Sequence, residues 1–317
     1  MFLVRKDPGQ GHSLSNPSPS KRREDRLRVG GQAVIEGVMM RSPNSMAIAV
    51  RRPNGEIVVK REKLDFFSEK KFSKLPLVRG VINLLSALVL GMKALNFSAN
   101  QTLEEEKEIS SWTMGFTFTF ALCFGIFLFF LIPLFLTKWL RFVLPMVSTS
   151  GIIFNLVDGI IRLMIFLAYL WAISCFKEIR RIFEYHGAEH KSIFAFESGE
   201  ALTAVRVKGF SYLHPRCGTS FLLIVMVVSI VVFALIPHQV PFGYKVASRV
   251  VFIPLIAGLA YEIIRFADQK RERKSMQYLI KPGLWLQRMT AREPSEDQIE
   301  VALRALDEVL ELEGYRK

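Results

Sequence analysis

A pentapeptide, His-Gly-Ala-Glu-His, occupies positions 186–190 and holds two of the five histidines in the chain. Residues four apart lie on one face of a helix, so His186 and His190 can present two imidazoles to a single metal ion. Further along, the tetrapeptide His-Pro-Arg-Cys at 214–217 adds another imidazole and a thiol. These residue types and spacings predict a metal site whose candidate ligands are His186, His190, His214 and Cys217.

The acidic residue of the pentapeptide makes a catalytic site one of the interpretations. His-x-x-Glu-His is the spacing of the inverse zincins, in which two histidines hold zinc and the adjacent glutamate is the general base. A zinc ion with three protein ligands keeps one position for water and lowers its pKa to about 7. Glu189 is therefore the candidate catalytic residue, with His214 or Cys217 as third ligand.

The same residues leave two other interpretations open. If His214 and Cys217 both bind, the ion has four protein ligands and no open position, which is typical of a structural site. Alternatively, the histidines are unrelated residues of a protein core. In either metal interpretation the expected cofactor is a divalent ion, with zinc as the first choice.

The segment around the pentapeptide has helical periodicity. Phe176, Ile179, Phe183 and Phe194 fall on the same stripe as the two histidines, which predicts a helix with both imidazoles on its buried side. Proline and glycine at 215 and 218 predict a turn. Such a turn can bring His214 and Cys217 back to the histidine helix.

The composition favours a membrane protein. Half of the 317 residues are hydrophobic, yet the net charge is +13, and the basic residues flank long apolar segments. That arrangement favours anionic lipid, and not nucleic acid, as the partner of the positive charge. The three cysteines are an odd number, two of them within apolar segments, so no disulfide framework is expected.

Four apolar segments approach the roughly 20 residues that a membrane span needs. They run from Trp112 to Leu136, Ile152 to Phe176, Phe221 to Ile236 and Val246 to Phe266. A further segment from Leu77 to Ser98 has polar residues along one helical face and apolar residues along another. It is predicted to be an interfacial or re-entrant amphipathic helix and not a span.

Basic residues near the span ends set the predicted orientation. Clusters at 21–23, 177–181 and 270–274 contrast with few basic residues in the loops at 138–150 and 237–245. Both termini and the histidine segment are therefore expected on the cytoplasmic side of a multi-pass protein. The bilayer is the expected partner, and a membrane-protein complex is a second possible one.

The predicted fold class is an α-helical integral membrane protein, with about four spans, an interfacial amphipathic helix and a small cytosolic α+β part. The chain divides accordingly into seven parts: a disordered basic tail (1–28), a cytosolic β-rich segment (29–75), the interfacial or re-entrant helix (76–100), a first membrane hairpin (101–176), the cytosolic His/Cys segment (177–220), a second membrane hairpin (221–267) and a cytosolic C-terminal tail with a terminal helix (268–317).

Several local patterns carry their own predictions. The runs 46–50 and 56–60, joined across Pro-Asn-Gly, predict a β-hairpin. The glycines of 30–40 suggest a strand with a bulge or with a close backbone approach. The run 202–207 predicts another strand, so that the sheet would include the histidine segment. Ser295 and Gln298 form a capping box for a terminal helix that docks on the cytosolic part. Asp158 and Arg162 are spaced to pair within a span.

Five longer blocks carry a family resemblance. They are 30–43 (GGQAVIEGVMMRSP), 76–94 (PLVRGVINLLSALVLGMKA), 186–191 (HGAEHK), 214–221 (HPRCGTSF) and 282–298 (PGLWLQRMTAREPSEDQ). With them the chain resembles the YqhQ-like family of bacterial membrane proteins, without a departure in these blocks. The resemblance covers nearly everything from residue 30 to the terminal helix.

The resemblance implies a bacterial cytoplasmic membrane location but no substrate. The family's members are described as predicted metal-dependent enzymes, which points to His186, Glu189, His190, His214 and Cys217 as candidate positions. Two functions are expected from these observations. One is a metal-dependent membrane hydrolase acting at the cytoplasmic face; the alternative is a non-catalytic adaptor or assembly and quality-control factor with a structural metal, bound to a larger complex such as protein-export machinery.

Overall fold

The computed structural model describes residues 27–64, 75–103, 110–148, 150–236, 240–270 and 273–315. The predicted disordered tail and its basic cluster at 21–23 lie outside this part of the chain, apart from the last two residues of the tail. The described part is mostly helical, with a small four-stranded antiparallel sheet. A mostly helical fold with a small sheet, the coarser part of the predicted fold class, is thereby confirmed.

The sheet is a meander of two hairpins. Its strands are β1 (Gly30–Val34), β2 (Gly37–Arg41), β3 (Ser45–Arg51) and β4 (Ile57–Lys63), in that order. The hairpin predicted across Pro-Asn-Gly is present as β3–β4. The single strand and the bulge suggested for 30–40 are wrong, because a two-residue turn at Ile35-Glu36, with Glu36 at φ +51°, splits the segment into β1 and β2. The alternative, a close backbone approach, is found at Gly31, where an added Cβ would lie 2.7 Å from Met39 O.

Eleven α-helices are described, and a π-helical segment, Phe127–Leu131, joins α2 to α3. They are α1 (Val78–Thr102), α2 (Ser111–Ile126), α3 (Ile132–Val143), α4 (Gly151–Ser174), α5 (Lys177–Ser198), α6 (Ala204–Lys208), α7 (Gly218–Ala234), α8 (Phe242–Val251), α9 (Ile253–Gln269), α10 (Lys274–Thr290) and α11 (Glu296–Leu312). A short 3-10 turn, Pro145–Ser148, precedes α4.

Both faces of the sheet are covered, as the fully buried β3 shows. Alternate side chains of a strand point to opposite faces. Ala47 and Ala49 pack in a core with α5 and α11, whereas Met46, Ile48 and Val50 pack in a second core with α1. Helix α11 has the predicted capping box and docks on β2 and β3. The sheet is thus held between the histidine helix with α11 on one side and α1 on the other.

Two predictions for the segments flanking the site are corrected. The expected strand at 202–207 contains the start of the short helix α6, so in the described residues the sheet comes from the N-terminal region alone. Thr203 starts that helix, and Val207 inserts into the core beside α5. Helix α10 was not predicted, because Pro282 and charged residues interrupt its apolar pattern.

Three helices are long and apolar enough to cross a membrane: Val78–Thr102, Gly115–Val143 and Gly151–Ser174. A pair bent by 42°, Gly243–Val251 with Ile253–Gln269, makes a fourth if it counts as one span, and Gly218–Ala234 is a shorter apolar helix. All four segments predicted as spans are therefore helical, the last with a bend. Length and composition are compatible with a multi-pass membrane protein.

Helix α1 is long and apolar enough to cross a membrane, although the sequence predicts an interfacial helix. Its first turn packs against α9, where a Cβ added at Gly80 would lie 2.8 Å from Tyr261 Cβ. Its second half buries Leu90 and Ala94 against the sheet. Helix α1 thus contacts both the sheet and the group of apolar helices α2–α4 and α7–α9, which we call the apolar bundle. The interfacial position of α1 stays a prediction.

A buried ionic cluster links the helices of the apolar bundle. Asp158 Oδ2 accepts a hydrogen bond from the predicted partner Arg162 and a second one from Arg249, each at 2.7 Å. Both guanidinium groups also lie 5.1 Å from the centroid of the Phe233 ring. All three charged residues are at most 2% exposed. One carboxylate therefore connects α4 with α8 while two cations share the ring of α7.

Replacing this carboxylate is expected to destabilise the bundle. In Asp158→Asn two buried guanidinium groups lose their counter-charge, and breaking a buried ion pair costs about 3–5 kcal/mol. Thermal unfolding of the detergent-purified protein, followed by loss of its monodisperse gel-filtration peak, measures the change. Met164→Ala, on an exposed position of the same helix, is the control. Equal melting temperatures for both variants would show that the cluster contributes no stability.

Candidate metal centre

Helix α5 carries the pentapeptide with both histidines on its inner face, as predicted. The glycine in the middle of the pentapeptide has a packing reason. A Cβ on Gly187 would lie 1.9 Å from the carbonyl oxygen of Arg292, whose N–H donates to Phe183 O at 2.9 Å. The segment between α10 and α11 therefore lies directly on the histidine helix. Glycine lowers the stability of the helix by about 1 kcal/mol, but its lack of a side chain permits this close approach.

Three side chains converge next to this glycine. One ligand atom from each of His186, His190 and Cys217 lies within 4.8 Å of the other two. His186 Nε2 is 3.1 Å from Cys217 Sγ, and the two imidazole centroids are 4.3 Å apart. Two nitrogens and one sulfur at these separations form a ligand set that suits zinc.

Backbone carbonyls fix the orientation of both imidazoles. His186 Nδ1 lies 2.7 Å from Thr290 O, and His190 Nδ1 lies 2.6 Å from Tyr212 O. A carbonyl only accepts, so each Nδ1 carries the proton when the ring is neutral, and each Nε2 presents its lone pair. Metal-binding histidines are held in this way in known sites.

His190 meets the requirements for a ligand most fully. It is 1% exposed, and its Nε2 makes no hydrogen bond of normal geometry with the described residues, although the Cys217 thiol lies close enough to affect its pKa. Burial lowers the pKa of His190, an effect that His186 reinforces and Cys217 opposes. A neutral imidazole with an unused, buried lone pair pays a desolvation cost, which a metal ion would offset.

Cys217 comes to the centre from the predicted turn. It is the N-cap of α7, and its Sγ accepts a hydrogen bond from Thr219 N at 3.4 Å. The thiol is half-buried. The start of α7 thus fixes the thiol opposite the two imidazoles of α5.

His214 lies beside the three converging residues but outside their set. Its Nδ1 accepts a hydrogen bond from Arg216 N at 3.3 Å, within the turn, and its Nε2 is 3.9 Å from a carboxylate oxygen of Glu197. The ring packs on Phe194, with centroids 4.4 Å apart. The structure therefore brings together three of the four candidate ligands, and ligation by His214 stays a prediction.

Arg216, the third residue of the tetrapeptide, forms an ion pair with Glu197. Its charge is therefore compensated by the protein. It lies on the wall of the cavity described below.

Glu189 is buried next to the centre, with 6% of its surface exposed. Desolvation raises the pKa of its carboxyl group, and the nearby His186 and His214 and a hydrogen bond from the Gly31 backbone oppose this rise. A Cβ on Gly31 would lie 2.9 Å from Glu189 Cγ. Gly31 of strand β1 therefore lies directly against the Glu189 side chain. This contact, together with the backbone hydrogen bond, orients the carboxylate from the side of the sheet.

A cavity of about 650 Å³ opens beside the three converging residues. Its wall includes His186, His190, Cys217 and Glu189, so ligand atoms and carboxylate face one common space. The volume falls within the roughly 300–1,000 Å³ of small-molecule sites. The sheet, α1, α5, α7 and α9 all contribute to the wall.

The family described as "Protein of unknown function (DUF1385)" matches residues 75–312, which include the whole centre. The chain belongs to this family. It is also 33% identical over 307 residues to "Uncharacterized protein YqhQ" of Bacillus subtilis (strain 168), covering 90% of this chain and 93% of that protein. The resemblance seen in the sequence is thereby confirmed, and no solved structure matches the chain.

One residue that positions the centre of this DUF1385 protein escaped the sequence analysis. Gln287 of α10 is fully buried. Its Oε1 accepts from His214 N, and its Nε2 donates to His214 O, both at 2.8 Å; Nε2 also donates to Ser220 Oγ at 3.2 Å. The amide thus holds the turn that delivers Cys217. Only its position within a resembling block could have drawn attention to it.

Removing this amide is expected to weaken metal binding without removing a ligand. Gln287→Leu leaves the backbone of the turn without its partners, and losing such a supporting contact typically costs 10–100-fold in metal affinity. Competition with a chromogenic chelator measures zinc affinity. Gln277→Leu, at an exposed position of the same helix, should bind like the wild type. Equal affinities for both variants would contradict a positioning role for Gln287.

Proposed function

We propose that the protein is a metal-dependent hydrolase of the bacterial cytoplasmic membrane, acting at its cytoplasmic face. His186, His190 and Cys217 would hold the ion, and Glu189 would act as general base. One observation carries the proposal: three ligand atoms within 4.8 Å of one another share a cavity wall with a buried carboxylate.

The side chains present fit zinc. Two imidazoles with their Nδ1 atoms on carbonyls and one thiol make a nitrogen–nitrogen–sulfur set, and imidazole nitrogen and cysteine sulfur are both common zinc ligands. When bound, zinc acts as a Lewis acid and lowers the pKa of a coordinated water to about 7. A set of three protein ligands also favours an open site over a structural one.

In the proposed reaction Glu189 would move the proton. In a hydrolysis the oxygen of water bonds to the carbon or phosphorus under attack, and the bond to the leaving group breaks. A Glu189 carboxylate oxygen would accept the proton of the attacking water and return it to the leaving oxygen or nitrogen. Burial strengthens this carboxylate as a base, and contact with Gly31 keeps it in place.

The membrane placement belongs to the same proposal. The apolar helices are long enough to cross the bilayer, and the basic residues around 177–181 follow the end of α4. The excess of Lys and Arg on that side favours the cytoplasm for the termini, the sheet and the centre. The substrate would reach the cavity from the inner leaflet or from the cytosol.

The adaptor with a structural metal is the competing function. If the protein is such an adaptor, we expect four protein ligands on the metal and no chemical role for Glu189. The apolar stripe of the terminal helix is buried against the sheet and is thus not free to bind a partner, and His214 lies outside the ligand set. Both observations favour the hydrolase.

Glu189→Gln tests the proposal without removing a ligand. The amide is isosteric but cannot accept a proton, so the variant should keep its metal and lose hydrolysis by about 10²–10⁴-fold, the usual contribution of a general base. Purified protein is incubated with a membrane extract from cells that lack it. Mass spectrometry then searches for products that appear with wild type and correspond to addition of water.

Two controls complete this experiment. His186→Ala should lose both metal and products, whereas Glu178→Gln, on the exposed first turn of the same helix, should behave like the wild type. Glu189→Gln that forms products as fast as the wild type would refute the hydrolase and leave the adaptor as the better account.

A further inference from the structure

The cavity beside the centre has an apolar wall made by the bundle helices. Leu84 and Ala87 of α1, Phe221 and Leu222 of α7, and Ile264 of α9 line it. These helices are the apolar ones that are compatible with a membrane. Leu222 is 44% exposed, so the wall continues toward the outer surface of the bundle. This wall could bind the apolar chain of a substrate through hydrophobic contacts.

A cationic side chain lines the same cavity. Arg41 ends strand β2 and is half-buried. No carboxylate lies within 4.0 Å of its guanidinium group in the described part of the chain, whereas Arg216 on the same cavity wall is paired with Glu197. Desolvation lowers the pKa of Arg41, which reflects the cost of burying an uncompensated charge. A bound anion would offset that cost.

The two features together identify a class of substrate, on the assumption that the proposed hydrolase is correct. We propose that the cavity binds an anionic amphiphile of the inner leaflet, with its phosphate or carboxylate on Arg41 and its acyl chain along the apolar wall. The bond to be hydrolysed then lies in the polar part of the lipid, within the space shared by Glu189 and the three ligand residues.

The middle of α1 forms one side of the cavity. This helix packs on α9, with Gly80 of its first turn close to Tyr261, and on the sheet through its second half. Between these contacts, Asn83, Leu84 and Ala87 face the cavity. Neighbouring side chains on its other face, including Leu85 and Leu88, are at least half exposed. The middle of α1 thus separates the cavity from the surroundings of the bundle.

Lipid binding can be measured without knowing the reaction. Delipidated protein in detergent is titrated with dioleoyl phosphatidylglycerol, dioleoyl phosphatidylcholine or glycerol 3-phosphate, and bound ligand is counted by native mass spectrometry. Wild type should prefer phosphatidylglycerol over both others by about tenfold or more. Arg41→Gln should remove most of that preference, because a charge-assisted hydrogen bond of about 1.5 kcal/mol corresponds to roughly tenfold in affinity.

Two further variants serve as controls. Arg41→Lys should restore part of the preference, and Lys63→Gln, which removes the same charge from an exposed position of β4, should leave it unchanged. If glycerol 3-phosphate binds as tightly as the lipid, the site recognises a soluble anion and the proposal is overturned. Equal affinity of wild type and Arg41→Gln for phosphatidylglycerol would overturn it as well.

This experiment also separates the two proposals. His186→Ala should lose its metal but keep the preference for phosphatidylglycerol, because Arg41 and the apolar wall are unchanged. A wild-type protein that selects the anionic lipid but neither binds metal nor forms products would refute the hydrolase alone. Metal-dependent hydrolysis without selection of the anionic lipid would refute the substrate class alone.

Discussion

The hydrogen bonds from the two histidines to backbone carbonyls are the constraint on which the centre depends. Thr290 O and Tyr212 O occupy Nδ1 of His186 and His190, so both Nε2 atoms face Cys217. Without these carbonyls each imidazole could rotate or change tautomer, and the ligand set would be lost. The two carbonyls belong to segments on either side of α7 in the sequence, so the centre requires the folded arrangement of α5, α7 and α10.

Contacts from several other elements of the fold position the ligand residues and Glu189. Gly187 lets the segment after α10 lie on the histidine helix, and Gln287 of α10 holds the turn that carries Cys217. From the opposite side, Gly31 of β1 contacts Glu189. The tip of the same hairpin is fixed to α5, because Glu36 accepts hydrogen bonds from Arg181 and Tyr185. The sheet thus positions the carboxylate, while α10 positions the ligands.

Local patterns in the sequence predicted much of this arrangement, and long-range contacts account for the rest. Spacing and periodicity were enough to predict the histidine helix, the turn before α7, the terminal capping box and the pair of Asp158 with Arg162. At 30–40 the glycines indicated a close approach, which Gly31 makes, but the sequence did not predict the tight turn at Glu36. The partner of Gly31 and the roles of Gln287 and Arg249 could not be predicted, because they arise from residues far away in the sequence.

X-ray absorption spectroscopy of the zinc-loaded, detergent-purified protein tests the central claim most directly. We expect about one zinc per chain, one sulfur ligand near 2.3 Å, two imidazole nitrogens near 2.0 Å and one further oxygen from solvent. Cys217→Ser should remove the sulfur signal. Three imidazoles and one sulfur, with no solvent ligand, would contradict an open site and return the protein to the structural alternative. Absence of zinc after purification without chelators would contradict the metal centre itself.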